Sequence, residues 1–330
     1  MTARRAALLA GGLALAGAGA ILFLSYGRAD GTAAREAAEL AAAEASRLAF
    51  VGFGAAGAAS GSACALARAS ESEFAGPKGL PEFEPAPFPA QQGERLLYSV
   101  SWLGVGAGTI EFRVGAREIR DGVECLVVEM AMDSTSALVD AVYPVRERAR
   151  SWVDVAGTFT RGYEIERLHR RIPVRDAQTF DYARGVSECL TTKRGKTSRS
   201  EALLDGPAQD SISWVYYVRA RIASGASTAR FTMIQRSKRW EVGLAIDGVE
   251  EIDLRSRGRV SALGARGGAS LASIFGREDG EAEGVRLWFE PASGIMLAAR
   301  VKAPVGDMRL ELIRAERPGG GIGGDDGRVR

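Results

Sequence analysis

Among 330 residues the chain holds one histidine, His169, and three cysteines, Cys64, Cys125 and Cys189. Zinc sites built from several histidines or four cysteines, and iron–sulfur clusters, need ligands this inventory does not supply, so neither metal nor cofactor is expected. No G-x-S-x-G nucleophile turn occurs. His169 sits in Arg167-Leu168-His169-Arg170-Arg171, a basic strand end where a solvated ring is expected rather than a general base. Glu164 and Glu166 stand two apart on one face of a predicted strand. Paired carboxylates can divide acid and base roles at a glycosidic bond, but such alternation on an outward sheet face is the ordinary pattern of solvation. The run Gly104-Val105-Gly106-Ala107-Gly108 lacks the G-x-G-x-x-G spacing and no helix pattern follows it, so a hairpin turn is expected rather than a phosphate loop. Taken together, these residues give no catalytic constellation, and a non-enzyme is the expectation.

Charge narrows the partners. The 43 basic and 41 acidic side chains leave a formal charge of +2, which excludes a general polyanion binder. Basic residues nevertheless cluster: Arg167, Arg170, Arg171 and Arg175; Lys193, Arg194, Lys196 and Arg199; Arg236, Lys238 and Arg239; Arg255, Arg257 and Arg259. Solvated turns are the ordinary reading of such clusters; contact with lipid headgroups or surface polysaccharide is the sharper one. Nucleic acid is not an expected partner, because the chain carries an export signal and no RNA-binding aromatic signature or zinc finger.

That signal opens with Arg4 and Arg5 and runs uncharged from Ala6 to Gly27. It exceeds the about 7–15 residues of a cleavable apolar region and nears the roughly 20 that span a bilayer. Residues 1–27 are thus a signal peptide or signal anchor, and the arginines place the chain from Arg28 onward outside the inner membrane. Residues 28–67 form an Ala/Gly-rich helical or second apolar segment. Its Gly61-Ser62-Ala63-Cys64 resembles a lipobox, with Gly61 where leucine is usual, which makes Cys64 a candidate for acylation. The expected location is the cell envelope, anchored in the inner membrane, exported to the periplasm or held by lipid. In an oxidising compartment, with Cys64 acylated or lost, Cys125 and Cys189 remain as a candidate disulfide; the alternative is two separately buried thiols.

The elements that must position these groups are mostly strands. Residues 68–92 read as a Pro-rich linker holding Pro77, Pro81, Pro85, Pro87 and Pro89, and 318–330 as a Gly-rich disordered tail. Between them, 93–317 alternates with period two: Leu96, Tyr98, Val100 and Trp102, then Ile110, Phe112 and Val114, and a series of further runs separated by turns such as Asp121-Gly122 and Asp247-Gly248. One helix interrupts them over Ser211–Ala223, capped by Asp210, with Trp214, Val218 and Ile222 at four-residue spacing. A short second helix is expected around Ser134–Val142. The fold class is all-β, mainly antiparallel: a curved sheet, half-barrel or barrel-like, with one or two short helices behind an N-terminal membrane or signal helix.

The stretch Gly93-Glu94-Arg95-Leu96-Leu97-Tyr98-Ser99-Val100-Ser101-Trp102-Leu103-Gly104-Val105-Gly106-Ala107-Gly108, with Gln209-Asp210-Ser211-Ile212-Ser213-Trp214-Val215-Tyr216-Tyr217-Val218-Arg219 far downstream, resembles an exported bacterial family catalogued as domain of unknown function 3108. The likeness runs from about Gly93 to Ile313, through the Lys238-Arg239-Trp240-Glu241-Val242 strand, and departs at Glu290-Pro291-Ala292-Ser293-Gly294-Ile295. It implies an envelope-located antiparallel β fold and no established activity. Within that fold the expected function is non-catalytic binding of a lipid-like or amphiphilic envelope molecule, with Tyr98, Trp102, Trp214 and Tyr217 lining the concave face. The alternative is a structural or protein-interaction module with a solid core and no ligand cavity.

Overall fold

The computed structural model describes residues 84–102, 104–135, 145–169, 172–267, 285–302 and 307–318. Fifteen strands follow one another: β1 Arg95–Trp102, β2 Val105–Arg120, β3 Val123–Ser134, β4 Arg146–Asp154, β5 Thr160–His169, β6 Ile172–Asp181, β7 Val186–Lys193, β8 Lys196–Leu203, β9 Ala208–Gln209, β10 Thr228–Gln235, β11 Lys238–Leu254, β12 Gly258–Gly267, β13 Val285–Phe289, β14 Met296–Lys302 and β15 Asp307–Glu316. The helix α1, Ser213–Ala223, lies between β9 and β10. All strands join one sheet in the order β8-β7-β6-β5-β4-β3-β2-β1-β15-β14-β13-β12-β11-β10-β9. Every pairing is antiparallel except that of β9 with β10.

This order forces the sheet to roll. Laid flat, fifteen strands at about 4.8 Å spacing would put β8 and β9 roughly 67 Å apart. Yet only residues 204–207 join them, and five Cα steps span at most about 18 Å. The two edges therefore come together, and the described hydrogen bonds show how the seam is held. The main-chain N–H of Arg236, in the β10–β11 turn, donates to Oε1 of Gln178 on β6 at 2.9 Å, and Gln178 Nε2 donates back to the Arg236 carbonyl at 3.4 Å. Arg239 on β11 pairs with Asp205 in the edge connection at 2.7 Å.

Period-two burial follows from the roll, because one face of each strand turns inward. Leu96, Tyr98, Val100 and Trp102 of β1 and Leu126, Val128, Met130 and Met132 of β3 all belong to one core. The helix α1 fills the concavity. Its residues Ser213 to Ala220 and Ile222 are buried all round, so it has no solvent stripe, as expected for a helix enclosed on every side. Asp210 starts it. Oδ1 of Asp210 accepts the N–H groups of Ile212 at 2.7 Å and Ser213 at 2.9 Å, while Ser213 Oγ accepts the Asp210 N–H, a reciprocal cap two residues ahead of the first full turn. Trp214 stacks on Phe231 with centroids 6.3 Å apart, and Arg219 makes a buried two-pronged ion pair with Glu94 at 2.6 and 3.0 Å.

Several sequence expectations change. The linker does not extend to residue 92: Glu84–Gln92 forms a strap across the lower end of the roll, defined as the end where β1 begins. Ala86 is buried and its carbonyl accepts from Thr158 Oγ1 at 2.6 Å; Phe88 stacks on Tyr216 at 5.0 Å, and Glu84 pairs with Arg221. Asp247-Gly248 is not a turn but a bulge within the single strand β11. Below that bulge the β11–β12 hairpin continues past the short β13 to β15, where the Arg255 N–H donates to Glu311 and Ser256 Oγ to the Leu312 carbonyl. The expected second helix falls mostly on residues outside those described, as do Cys64, the signal segment and the tail.

The Cys125–Cys189 disulfide is not formed; both thiols are free and buried. Cys125 on β3 packs with Val127 and Trp152 in a small cluster apart from the main core, on the outer face. Cys189 on β7 points inward beside Thr191. Three strands separate β3 from β7, about 19 Å along the sheet, where a disulfide needs Cα atoms within about 7 Å.

Candidate ligand-binding site at the upper mouth of the roll

Strand register builds the site. At the upper end, where β1 finishes, Met132, Glu147, Arg167 and Val174 stand side by side across β3, β4, β5 and β6. All four are buried and face inward. The next row down reads Met130, Ala149, Ile165, Asp176 and Thr191, and the one below it Val128, Ser151, Tyr163, Gln178 and Cys189. The interior is thus apolar along β1 to β3, whereas along β4 to β7 Glu147, Ser151, Arg167, Asp176 and Gln178 stand among apolar residues such as Ala149, Ile165 and Val174.

Most of the polar half is closed on itself. Asp176 accepts from Arg167 Nη1 at 2.8 Å, from Thr191 Oγ1 at 2.7 Å and from Arg236 Nε at 3.1 Å. Gln178 donates to Ser187 Oγ at 2.7 Å. Lower down, Ser151 Oγ donates to Oδ2 of Asp210 at 2.5 Å, tying the start of α1 to β4. Burial pushes the Asp210 carboxyl above the usual range, against hydrogen bonds from Ser151, Thr160 and the helix start.

Glu147 is different. It is 1% exposed, and its Oε1 has no hydrogen-bond partner. Burial pushes its carboxyl up to about 7, with the positive charge of Arg167 acting the other way. Beside it lies a shallow cleft of about 10 Å³, room for a single water, lined by Val100, Ala107, Gly108, Thr109, Met132, Asp133, Ser134 and Val145. Met132 is the cross-strand neighbour of Glu147, and Val145 precedes it by two residues. Gly108 has a steric reason here, since a Cβ at that position would lie 2.4 Å from the Asp133 carbonyl oxygen. The glycine-rich run therefore lets β2 close on β3 as well as starting a hairpin: β2 begins at Val105.

The four aromatic residues expected to line a ligand are elsewhere engaged. Tyr98 is fully buried, its hydroxyl donating to the Met296 carbonyl at 3.0 Å and its ring edge-on to Phe112. Tyr217 donates to the Arg230 carbonyl at 3.1 Å, and Trp214 stacks on Phe231. Trp102 is buried at the end of β1, opposite Met308 of β15. None of the four lines the cleft. Glu164 and Glu166 flank Arg175 on the outer face at 3.0 and 3.7 Å. His169 ends β5, and Arg167, expected in solvent, is an interior residue. Sequence reasoning missed Glu147, Asp176 and Gln178, and placed Arg236 only in a basic cluster. The available signal was parity, for Glu147 precedes Ala149, Ser151 and Val153 on the inward face of β4.

Among the described residues no group of three or more His, Cys, Asp or Glu side chains is placed to hold a metal ion. None of their helices is long and apolar enough to cross a membrane. The profile of a family described as a protein of unknown function (DUF3108) matches residues 97–313. A solved structure from Bacteroides fragilis, named for export and a YmcC-like fold, is 10% identical, with 71% of this chain and 100% of that one covered at a TM-score of 0.30. A second, named as a lipoprotein from Parabacteroides distasonis, is also 10% identical, covering 70% and 99% at a TM-score of 0.26. No curated protein matches the chain.

Proposed function

This chain belongs to the DUF3108 family of proteins of unknown function, and from that premise we propose that it is a non-catalytic binding protein of the cell envelope. It engages a lipid-like or amphiphilic envelope molecule at the upper end of the roll. What supports this reading is the buried Oε1 of Glu147 at the upper end of the interior, which has no partner within the protein. Envelope location is supported by Arg4, Arg5 and the uncharged run Ala6–Gly27, and Cys64 is the candidate lipid-anchor residue.

A second reading is an interaction module with no occupant. It is favoured by α1 filling the roll and by Tyr98, Trp102, Trp214 and Tyr217 serving as packing. Mass spectrometry of an organic extract from the full-length protein, purified without added lipid, separates the two. Amphiphile binding predicts a stoichiometric species in the extract. An extract without one, from protein that also fails to take up added amphiphiles, supports the interaction module.

A further inference from the structure

We propose that β8 is a docking edge for a second copy of this chain, paired antiparallel about Ser200 so that the two rolled sheets continue into one another. β8, Lys196–Leu203, is hydrogen-bonded to β7 alone, and its other side is the open edge of the sheet. The bonds that hold the seam run from Arg236 in the β10–β11 turn to Gln178 and Asp176 on β6, so they leave that edge bare. Lys196, Thr197, Ser198 and Arg199 are exposed in succession, and both faces of the strand therefore stand clear of the roll there. An edge of eight residues with neither proline nor bulge lacks two of the devices that keep bare edges from pairing.

Strand parity fixes which groups the edge offers. Arg194 and Gly195 have φ of 53° and 73°, a two-residue turn of type I′ that makes Lys193 and Lys196 a hydrogen-bonded pair. At the other end the Leu204 N–H donates to the Gly185 carbonyl at 2.9 Å, in the same phase. Even-numbered residues of β8 thus bond to β7, and Thr197, Arg199, Glu201 and Leu203 point their N–H and C=O groups outward. Two copies satisfy all of these groups when Thr197 lies opposite the partner's Leu203 and Arg199 opposite the partner's Glu201. Sliding the strands by two residues sets Arg199 against the partner's Arg199, or Glu201 against the partner's Glu201. The register centred on Ser200 alone places opposite charges across the strands, once on each side of the two-fold axis. Within one chain this place is short of cation, because Glu188 and Glu201 stand directly opposite one another and share Arg199, at 2.5 and 2.8 Å. The partner's Arg199 supplies the second guanidinium. The charge pattern of β8 is complementary to itself, which selects a second copy over an unrelated strand.

Disulfide capture reads the register. In full-length protein whose three cysteines are replaced by alanine, Ser200→Cys puts two thiols on the two-fold axis in a non-hydrogen-bonded pair. Its Cα atoms are about 4.5 Å apart, within disulfide reach. Mild oxidation and non-reducing electrophoresis should give a covalent dimer from Ser200→Cys and little from Ser198→Cys or Ala202→Cys, which face each other's positions rather than their own. Sedimentation of the protein without an added thiol should show a dimer whose affinity falls about tenfold with Glu201→Arg and returns when Arg199→Glu is added. Equal cross-linking of the three thiols, or a dimer indifferent to Glu201→Arg, places any association elsewhere and overturns the pairing. A monomer that does not cross-link at Ser200 overturns it too. If the Arg199 and Glu201 amides of such a monomer resist hydrogen exchange, the edge is covered by a segment of the chain itself instead of a second copy.

Discussion

Replacing Glu147 with glutamine should change the dependence of stability on pH in a predictable direction. Burial raises the native carboxyl to about 7 from an ordinary 4.5, so the folded state holds its proton more tightly than the unfolded chain. Stability from this group is complete below pH 4.5 and is lost as pH rises towards and through 7, since in that interval the unfolded chain has released a proton that the native state retains. At 1.36 kcal/mol per unit, the loss across that window is about 3 kcal/mol. With the group 1% exposed, solvent screening does little to reduce it. Glutamine keeps the shape and does not titrate. Urea denaturation of both proteins from pH 4 to pH 8, followed by tryptophan fluorescence, should show the variant gaining about 3 kcal/mol relative to the parent as pH rises. Taking the difference cancels every other carboxyl. A difference that stays constant across the range would refute the buried-carboxyl reasoning, because Glu147 would then titrate as it does in the unfolded chain.

Gly108→Ala places a Cβ 2.4 Å from the Asp133 carbonyl oxygen and should cost about 1–3 kcal/mol in urea denaturation, as overpacking against backbone does. Arg219→Met leaves Glu94 buried without its two-pronged partner and should cost about 3–5 kcal/mol, most of it recovered when Glu94→Leu is added; a double variant as weak as the single one argues against this account. Thiol alkylation with mass mapping should label Cys125 and Cys189 only after unfolding, without prior reduction, and a peptide linking the two would contradict the opposed faces found for them.

The fold was legible where burial is one-sided. β1 and the second half of β3 alternate inward apolar with less buried residues, and their existence follows from the sequence. β8, Lys-Thr-Ser-Arg-Ser-Glu-Ala-Leu, has no apolar alternation because it is an edge strand lying largely in solvent. β12 carries Gly264 where the Arg286 guanidinium crosses it towards Glu250, and its Arg266 pairs with Asp247, while Ala262 and Ala265 face the core. The strap was hidden by its prolines, which suit a linker equally well; only the long-range contacts of Ala86 and Phe88 distinguish it. The site was less legible for a different reason. Bulky aromatics are the usual hint of a ligand, but here they pack the core, whereas Glu147 and Asp176 become interior only once strand parity and the roll are known.

The pairing of β1 with β15 also bears on how the protein reaches its native state. Leu96 meets Ala315 and Trp102 meets Met308, so the middle of the sheet is sewn from the two ends of the domain, while its seam is the middle of the chain. Each half, β1–β8 and β9–β15, is built of near-neighbour pairings and can assemble progressively. The join between them cannot form until β15 has emerged, which makes it the contact of largest sequence separation and the natural slow step. Until β15 is available β1 waits with one edge bare, a period of exposure to wrong partners. Moving the chain ends to residues 204–207 and linking Glu316 to Arg95 would turn that join into a hairpin and should accelerate folding without altering the sheet.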